Sequence, residues 1–240
     1  MKSAVVIGVG PVRGLGGTLC LAAASAGLHV GVAGRTIEKL EEVAAVVSAA
    51  GGEATPVVCD TTKEADVVGL VQAAETIAPI DLAIYNAGNN MPGSFLDMEA
   101  EFFERCWRVG CLGGFLFARE VLRAMAPRNN GCLLFTGASA SMRGKPGFAA
   151  FTAAKGGLRN MAQSLAREFQ SQGIHVGHIV VDGGIRGEKI QKGFPQWYDQ
   201  LGEEGLIGLE GISDAFMHLY GQPRNAWTHE LDLRTHIENF

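Results

Sequence analysis

The stretch that decides the fold is "AVVIGVGPVRGLGG", residues 4–17, near the start of the 240-residue chain. Its apolar part, residues 4–10, predicts a buried strand, and a helical pattern then runs from Gly14 to Ala26. Glycines between a strand and a helix let the chain turn tightly and let backbone N–H groups approach a phosphate. A glycine pattern alone is weak evidence, but this one lies between the right elements. The turn therefore predicts a nucleotide-binding site.

The rest of the chain repeats the alternation of short apolar strands with longer helices. Further strands are predicted at 29–34, 54–60, 81–88, 131–137, 174–181 and 227–233. Helices are predicted at about 37–50, 97–126 and 148–170, and one more begins after Thr61, which forms a capping box with Glu64. Apolar strands separated by helices predict an α/β fold: a doubly wound, Rossmann-type parallel sheet of about seven strands with helices on both faces.

We expect one domain over residues 1–240, because the composition shows no linker and no internal repeat. Residues 183–221 have mixed helix and loop character and match no chemical motif. We expect this segment to be a substrate lid within the domain.

Composition and charge exclude several classes of function. Apolar residues make up 47% and charged residues 19%, as in a compact globular protein, and the net charge of −5 with no Lys/Arg-rich block argues against nucleic acid. No apolar run reaches membrane-spanning length, and a strand pattern begins almost at once, so we expect no signal peptide, no membrane partner and a cytoplasmic protein. The five cysteines form no CxxC pair and no metal-ligand spacing with histidine, which predicts buried thiols and no metal.

Motifs along the chain resemble those of the short-chain dehydrogenase/reductase family over about residues 4–182. Gly10, Gly14 and Gly16 match the Gly-x3-Gly-x-Gly turn, and Lys155 on the long helix matches the active-site lysine. Asp60 matches the residue that holds adenine, and "NAG" matches the motif that ends the fourth strand. The resemblance implies a cofactor site made of Gly10, Arg13, Gly14, Leu15, Gly16, Arg35, Asp60, Thr61, Asn86, Ala87, Gly88 and Lys155.

The end of the second strand indicates which dinucleotide is bound. Folds that prefer NAD place a carboxylate there to bind the ribose 2′-hydroxyl, whereas this chain has Gly34 followed by Arg35. Arg13 in the glycine turn is expected to face the same pocket. Because two guanidinium groups suit a 2′-phosphate, we expect the cofactor to be NADP(H).

At the catalytic end the sequence departs from the family pattern. The family's tyrosine, which exchanges a proton with the substrate, falls on Phe151, and its relay asparagine falls on Gly110. The family's serine falls on Ala138, so Ser139 is the candidate if the loop shifts by one residue. General acid catalysis contributes about 10²–10⁴-fold. The family's usual proton path therefore needs substitute groups in this chain.

Several residues are candidates for those substitutes. Asp182 follows the sixth strand, where a carboxylate could act as an acid or base or else cap the next turn. Asn89 and Asn90 could bind a polar substrate, Trp197 and Tyr198 suggest lid residues or apolar packing, and Tyr85 is expected in the core. His175 and His178 lie on the sixth strand without an evident carboxylate partner, which favours structural histidines.

Three functions remain open from these residues. The first is an NADP(H)-dependent oxidoreductase with a non-standard proton donor, acting on a small carbonyl, activated alkene or imine. The second is a catalytically silent NADP(H)-binding sensor or partner subunit, and the third is non-redox chemistry that uses Asp182 or Ser139. Ala and Gly on one face of the helices at 97–126 and 148–170 permit close helix approach, and the resemblance implies a homodimer or homotetramer.

Overall fold

The computed structural model describes residues 1–88 and 90–239, so the candidate Asn89 lies outside the described residues. Within this part of the chain the strands form one sheet. The strands are β1 Lys2–Ile7, β2 Leu28–Gly34, β3 Ala54–Val58, β4 Ile80–Tyr85, β5 Gly131–Thr136, β6 Ile174–Val181 and β7 Glu230–Leu233. Their order across the sheet is β3-β2-β1-β4-β5-β6-β7, and every pairing is parallel. The predicted α/β fold is confirmed.

Helices connect the strands, because each parallel pairing requires a crossover connection. These helices cover both faces of the sheet. The α-helices are α1 Leu15–Ser25, α2 Ile37–Ala49, α3 Glu64–Ile77, α4 Ala100–Trp107, α5 Gly113–Met125, α6 Ser139–Met142, α7 Ala149–Phe169, α8 Glu188–Gly193, α9 Pro195–Leu201 and α10 Leu209–Tyr220. A π-helical turn, Arg108–Leu112, joins α4 to α5. Buried side chains form one core between the sheet and α3, α5 and α7, and a second between the sheet and α1, α2 and α10.

Small residues on the long helices are used inside this chain. A Cβ at Gly110 would lie 2.6 Å from Ala154 Cβ, and one at Gly114 would lie 2.4 Å from Leu158 Cδ1. The π-helical turn and α5 therefore approach α7 more closely than side chains at these positions would permit. Exposed aromatic rings lie elsewhere on α4 and α5, at Phe103, Trp107 and Phe115.

Two predicted local features differ from the structure. Thr61 does not form a capping box, because α3 begins at Glu64 with Lys63 as its N-cap, and the Thr61 hydroxyl instead donates to Tyr85 Oη at 3.1 Å. Within 183–221, α10 is part of the core, since Ile212, Phe216 and Leu219 are fully buried. Before α10, residues 191–197 and 202–204 are exposed whereas Leu206 and Ile207 are buried, and a lid role for the segment stays a prediction.

The cysteines lie where a globular core would place them. Cys20, Cys59, Cys106 and Cys132 are buried and Cys111 is half-buried, and none of the five forms a disulfide among the described residues. Burial raises the pKa of every one of these thiols, so they are poor nucleophiles near neutral pH. In the described part of the chain, no helix is long and apolar enough to cross a membrane.

Candidate cofactor and active site

The glycine turn after β1 depends on glycine for backbone reasons. Gly8 has a φ of +93°, and a Cβ there would lie 2.4 Å from the backbone nitrogen of Ala87. A Cβ at Gly16 would lie 2.8 Å from Val9 Cα, whereas a Cβ at Gly10 would have no described atom within 4 Å. Gly8 and Gly16 are therefore required by the fold, while Gly10 leaves open space in front of the turn. No described side chain caps α1 at Gly14, so its first N–H groups are available to a phosphate.

Asn86 joins this turn to the neighbouring strands. Its side-chain amide donates to the Gly8 carbonyl at 3.1 Å, and its Oδ1 accepts from the Thr136 hydroxyl at 3.0 Å. The backbone N–H of Asn86 also donates to the Ile7 carbonyl at 2.9 Å. Asn86 thus holds the carboxyl ends of β1, β4 and β5 in register, with Ala87 buried beside it.

The end of β2 excludes an acidic side chain. A Cβ at Gly34 would lie 2.5 Å from the carbonyl oxygen of Val9, so an aspartate or glutamate does not fit there. Arg35, the next residue, and Arg13 in the glycine turn are both exposed. An arrangement with exposed guanidinium groups and no room for a carboxylate suits a phosphate rather than a free ribose hydroxyl.

Asp60 lies beside Arg35 at the carboxyl end of β3. Its Oδ1 accepts from the Thr62 N–H at 3.0 Å and from the Thr62 hydroxyl at 2.8 Å. Burial alone would raise the pKa of Asp60, but these hydrogen bonds and the charges of Lys63 and Arg35 lower it overall. The carboxylate is therefore ionised and fixed in orientation, and an adenine contact at this residue stays a prediction.

Thr61 and Tyr85 point into the core. The Thr61 hydroxyl donates to Tyr85 Oη, which in turn donates to the Val109 carbonyl at 2.5 Å. Burial raises the pKa of Tyr85, and its side chain is fully buried, as the sequence predicts. The Thr61 hydroxyl is thus occupied inside the protein, and a cofactor contact at this position stays a prediction for its backbone.

Lys155 is a buried amine at the carboxyl edge of the sheet. Only 3% of the residue is exposed, and its Nζ donates to the Thr136 carbonyl at 2.7 Å. A Cβ at Gly88 would lie 3.2 Å from this Nζ, so the "NAG" segment and the lysine are neighbours. Burial lowers the pKa of Lys155 to about 8, which leaves a fraction of the amine uncharged near neutral pH. Such an amine can both donate and accept a proton.

Phe151 and Gly110 lie on the elements expected for the family's tyrosine and asparagine. Phe151 is half-buried, one helical turn before Lys155 on α7. Gly110 is buried in the π-helical turn, where the contact with Ala154 leaves no space for a side chain. A proton relay through a side chain at position 110 is sterically excluded in this packing.

Ser139 and Asp182 belong to one ion-pair cluster. The Asp182 carboxylate is fully buried and accepts from both terminal nitrogens of Arg143, at 2.9 and 2.8 Å. Arg234 Nε lies 3.5 Å from the same carboxylate. Burial would raise the pKa of Asp182, but hydrogen bonds from Arg143 and Ser139 outweigh it and hold the pKa below its usual range. Both candidates are therefore engaged, and a catalytic role for either one stays a prediction.

His178 has a carboxylate partner that the sequence did not reveal. His178 is fully buried on the α7 side of β6, and its Nδ1 lies 2.9 Å from Glu230 Oε2 on β7. Arg159 holds the same Glu230 with hydrogen bonds of 2.7 and 2.6 Å. The sequence gives no evident partner for His178 because Glu230 lies 52 residues away, and a purely structural role for this histidine stays a prediction. His175 points to the other face, where it stacks on Trp227.

The segment between β6 and α10 rests on the glycine turn. The N–H of Glu188, the first residue of α8, donates to the Arg13 carbonyl at 2.8 Å. Trp197 on α9 packs against Gly184, where a Cβ would lie 2.7 Å from the indole ring. The candidate lid is thus seated between the cofactor turn and the end of β6. Among residues 1–88 and 90–239, no cluster of His, Cys, Asp and Glu could hold a metal ion.

Comparison with known proteins agrees with this geometry. Residues 2–195 match the family model described as short chain dehydrogenase. The chain is 30% identical over 180 residues to 2-(S)-hydroxypropyl-CoM dehydrogenase 3 of Xanthobacter autotrophicus. The aligned residues cover 75% of this chain and 71% of that protein.

Solved structures resemble the whole chain. A short-chain dehydrogenase from Rhodopseudomonas palustris superposes with a TM-score of 0.85 at 33% identity, covering 98% of this chain and 99% of that one. Actinorhodin polyketide ketoreductase with NADPH superposes with a TM-score of 0.90 at 20% identity, covering 100% and 98% of the respective chains. The second likeness concerns the fold alone.

Proposed function

This chain belongs to the short-chain dehydrogenase family, and on that basis we propose that it is an NADP(H)-dependent oxidoreductase with a non-standard proton donor. Its substrate is a small carbonyl, activated alkene or imine. The observation that carries the proposal is Lys155, a buried amine held beside Gly88 at the edge of the sheet that also bears the open glycine turn. A core position without function would not retain a buried, titratable amine there, because burying an ammonium group costs several kcal/mol.

The residues around the turn fit NADP(H). The pyrophosphate would lie against Gly10 and the start of α1, the adenine beside Asp60, and the nicotinamide ribose within reach of Lys155. Arg13 and Arg35 would bind the 2′-phosphate, since Gly34 excludes the competing carboxylate. The bound cofactor supplies the hydride, and the chain supplies binding, orientation and protons.

The chemistry of Phe151 decides which substrates are favoured. Phe151 cannot protonate an oxygen that gains charge, so reduction of an unactivated ketone would lose the contribution of a general acid, about 10²–10⁴-fold. Activated alkenes and imines demand less, because water or the Lys155 amine can protonate the product. We therefore rank these substrates ahead of simple ketones.

A panel of carbonyl, activated alkene and imine substrates with NADPH tests the proposal. We expect NADPH consumption with an alkene or imine, and its loss in Lys155→Met. Phe151→Tyr is the discriminating variant: an adapted enzyme should lose its own turnover, since the new hydroxyl places a polar group one helical turn before Lys155. Absence of turnover across the panel, together with weak carbonyl reduction gained by Phe151→Tyr, would contradict the proposal.

The second candidate function is a silent NADP(H)-binding sensor or partner subunit. Gly110 favours it, because the contact with Ala154 removes the relay position completely. A sensor would bind NADPH and show no hydride transfer with any substrate, whereas loss of nucleotide binding would contradict both functions. Nothing in the cluster of Ser139, Arg143 and Asp182 favours the third alternative, non-redox chemistry.

We also propose that the chain forms a homodimer or homotetramer. Phe103 on α4, Trp107 at its end and Phe115 on α5 are each more than a third exposed. Their burial against a second copy would remove apolar surface from water, at roughly 25 cal/mol per Å². A monomeric elution profile at micromolar concentration would contradict this.

A further inference from the structure

Beneath α7, His178, Glu230 and Arg159 form a row of polar side chains that continues from Lys155. His178 is paired in register with Glu230 on β7, so the two side chains stand next to each other on the same face of the sheet. Arg159 lies one turn after Lys155 on α7 and holds Glu230 from above. The row therefore runs from the buried Lys155 to Glu230, whose side chain is 23% exposed.

His178 Nε2 is the unusual atom in this row. It is buried and has no hydrogen-bond partner among the described residues. Because a carboxylate can only accept, the Nδ1 that faces Glu230 carries the ring proton, and the neutral ring then has its lone pair on Nε2. An unpaired buried acceptor costs about 1–3 kcal/mol, so its retention needs a reason.

The lone pair on His178 Nε2 lies beside Gly137, next to the residue that Lys155 contacts. A Cβ at Gly137 would be 2.5 Å from His178 Nε2, and Gly137 follows Thr136, whose carbonyl accepts the hydrogen bond of Lys155. His178 and Lys155 also interact electrostatically: the positive charge of Lys155 lowers the pKa of His178, after the larger effect of burial. A lysine ammonium has three donors, and the carbonyl of Thr136 uses one of them.

We propose that His178 and Glu230 form a proton route behind Lys155, in place of the relay that Gly110 cannot provide. The proposal rests on the proposed function, since it concerns protons consumed or released with the hydride. In the oxidation direction the substrate proton passes to the Lys155 amine. Because Nε2 has no hydrogen-bond partner among the described residues, the Lys155 side chain first swings from the Thr136 carbonyl to Nε2. A Lys155 N–H bond then breaks as a His178 Nε2–H bond forms, and the Nδ1–H proton moves to the Glu230 carboxylate and on to solvent. The ring returns to its Nδ1–H tautomer before the next turnover. Reduction reverses these steps, and no electrons move along the route.

The charged groups around His178 are consistent with a transient carrier. Those that act on it are Glu230 on β7, and Lys155 and Arg159 on α7, while β5 offers Phe135 as its register partner. Burial and the two cations lower the pKa of His178 to about 4, although Glu230 opposes them. The imidazole is therefore neutral near pH 7 and passes a proton on as it receives one.

NMR of ¹⁵N-histidine-labelled protein without any substrate tests the coupling directly. We expect His178 to show the Nδ1–H tautomer and its Nε2 resonance to move with the titration of Lys155, near pH 8. This pH-dependent change of the Nε2 resonance should be absent in Lys155→Met. The resonances of His175, on the opposite face of β6, should not show it. An Nε2–H tautomer, or an Nε2 resonance that is flat across the titration of Lys155, would overturn the route.

A kinetic comparison separates a route from mere packing. Glu230→Gln keeps the shape of the carboxylate but cannot take up a proton, so we expect kcat to fall about 10-fold or more with KM nearly unchanged. Glu168→Gln, exposed near the end of the same helix, should have no effect. Equal kcat and pH profile in Glu230→Gln and wild type would overturn the route. Failure of the wild-type protein to bind NADPH would instead overturn the proposed function. The NMR experiment does not measure nucleotide binding, so the two failures are distinguishable.

Discussion

The glycine turn after β1 and the side-chain pairs on and after β6 depend on different kinds of interaction. The turn is fixed by backbone contacts, since Gly8 and Gly16 approach Ala87 and Val9 too closely for any side chain. The side chains on and after β6 are fixed by partners that are distant in sequence, such as Arg143 for Asp182 and Glu230 for His178. Backbone requirements restrict residue type, whereas side-chain pairs can be replaced by other pairs.

The largest effect is expected where a glycine is required by the backbone. Gly16→Ala places a Cβ 2.8 Å from Val9 Cα, so we expect a loss of about 3 kcal/mol in unfolding free energy and NADPH binding weakened about 100-fold or more. Thermal denaturation and calorimetric titration measure the two effects.

Gly10→Ala is the matched control within the same turn. Its Cβ meets no described atom within 4 Å, so the unfolding free energy should stay within about 0.5 kcal/mol of wild type. If a pyrophosphate lies against this residue, NADPH binding should still weaken. Equal destabilisation by Gly16→Ala and Gly10→Ala would show that the turn is not held by close backbone contact.

A smaller effect is expected from the ion pair at the catalytic end. Arg143→Ala leaves the fully buried Asp182 carboxylate with Arg234 and the Ser139 hydroxyl. We expect a loss of about 2 kcal/mol in unfolding free energy, below the 3–5 kcal/mol typical of a broken buried pair, because Arg143 is partly exposed and Arg234 remains. Chemical denaturation at pH 7 measures it.

The same pair predicts a pH dependence. The pKa of Asp182 is lower in the folded chain than in the unfolded one, where it is about 3.9, so its stabilising contribution is full above that value. The contribution is lost as the pH falls through the folded-state pKa. Stability of wild type should therefore fall more steeply below pH 4 than that of Arg143→Ala, and parallel curves would contradict the assignment.

The smallest effect is expected from the relay position. Gly110→Asn restores the family's residue type but places a Cβ 2.6 Å from Ala154 Cβ, which should cost about 1–2 kcal/mol of unfolding free energy. Gly156→Ala on the adjacent α7 is the control, because its Cβ would meet no described atom within 4 Å and should stabilise the helix by about 0.5–1 kcal/mol. A Gly110→Asn variant as stable as wild type would show that the π-helical turn can accommodate a relay side chain.

Much of the fold was predictable because apolar periodicity and glycine spacing are local properties. The predicted strand at 174–181 matches β6, and Gly14 directly precedes α1. Local patterns also mislead: the pairing of Thr61 with Glu64 predicted a capping box, but Tyr85 on a neighbouring strand takes the Thr61 hydroxyl instead. The Thr61 hydroxyl therefore makes a tertiary hydrogen bond instead of the local capping bond.

The candidate site was predictable only in part, for a related reason. Lys155 and the glycine turn are recognisable by spacing, but the partner of His178 is 52 residues away and that of Asp182 is 39 residues away. Nothing in the spacing of these residues indicates that β7 adds Glu230 beside β6. A buried histidine on a strand next to a late strand with a glutamate is the one sequence signal that could have suggested the pair.

The edge of the sheet beside Lys155 is expected to bind NADP(H). Calorimetric titration of nucleotide-free protein with NADPH and NADH tests it most directly, with Arg13→Ala, Arg35→Ala and the distant Arg167→Ala as variants. We expect NADPH to bind far more tightly than NADH, each of the first two variants to lose about 10–100-fold for NADPH only, and Arg167→Ala to match wild type. No binding of either nucleotide, or equal affinity for both in wild type and in Arg35→Ala, would contradict the account.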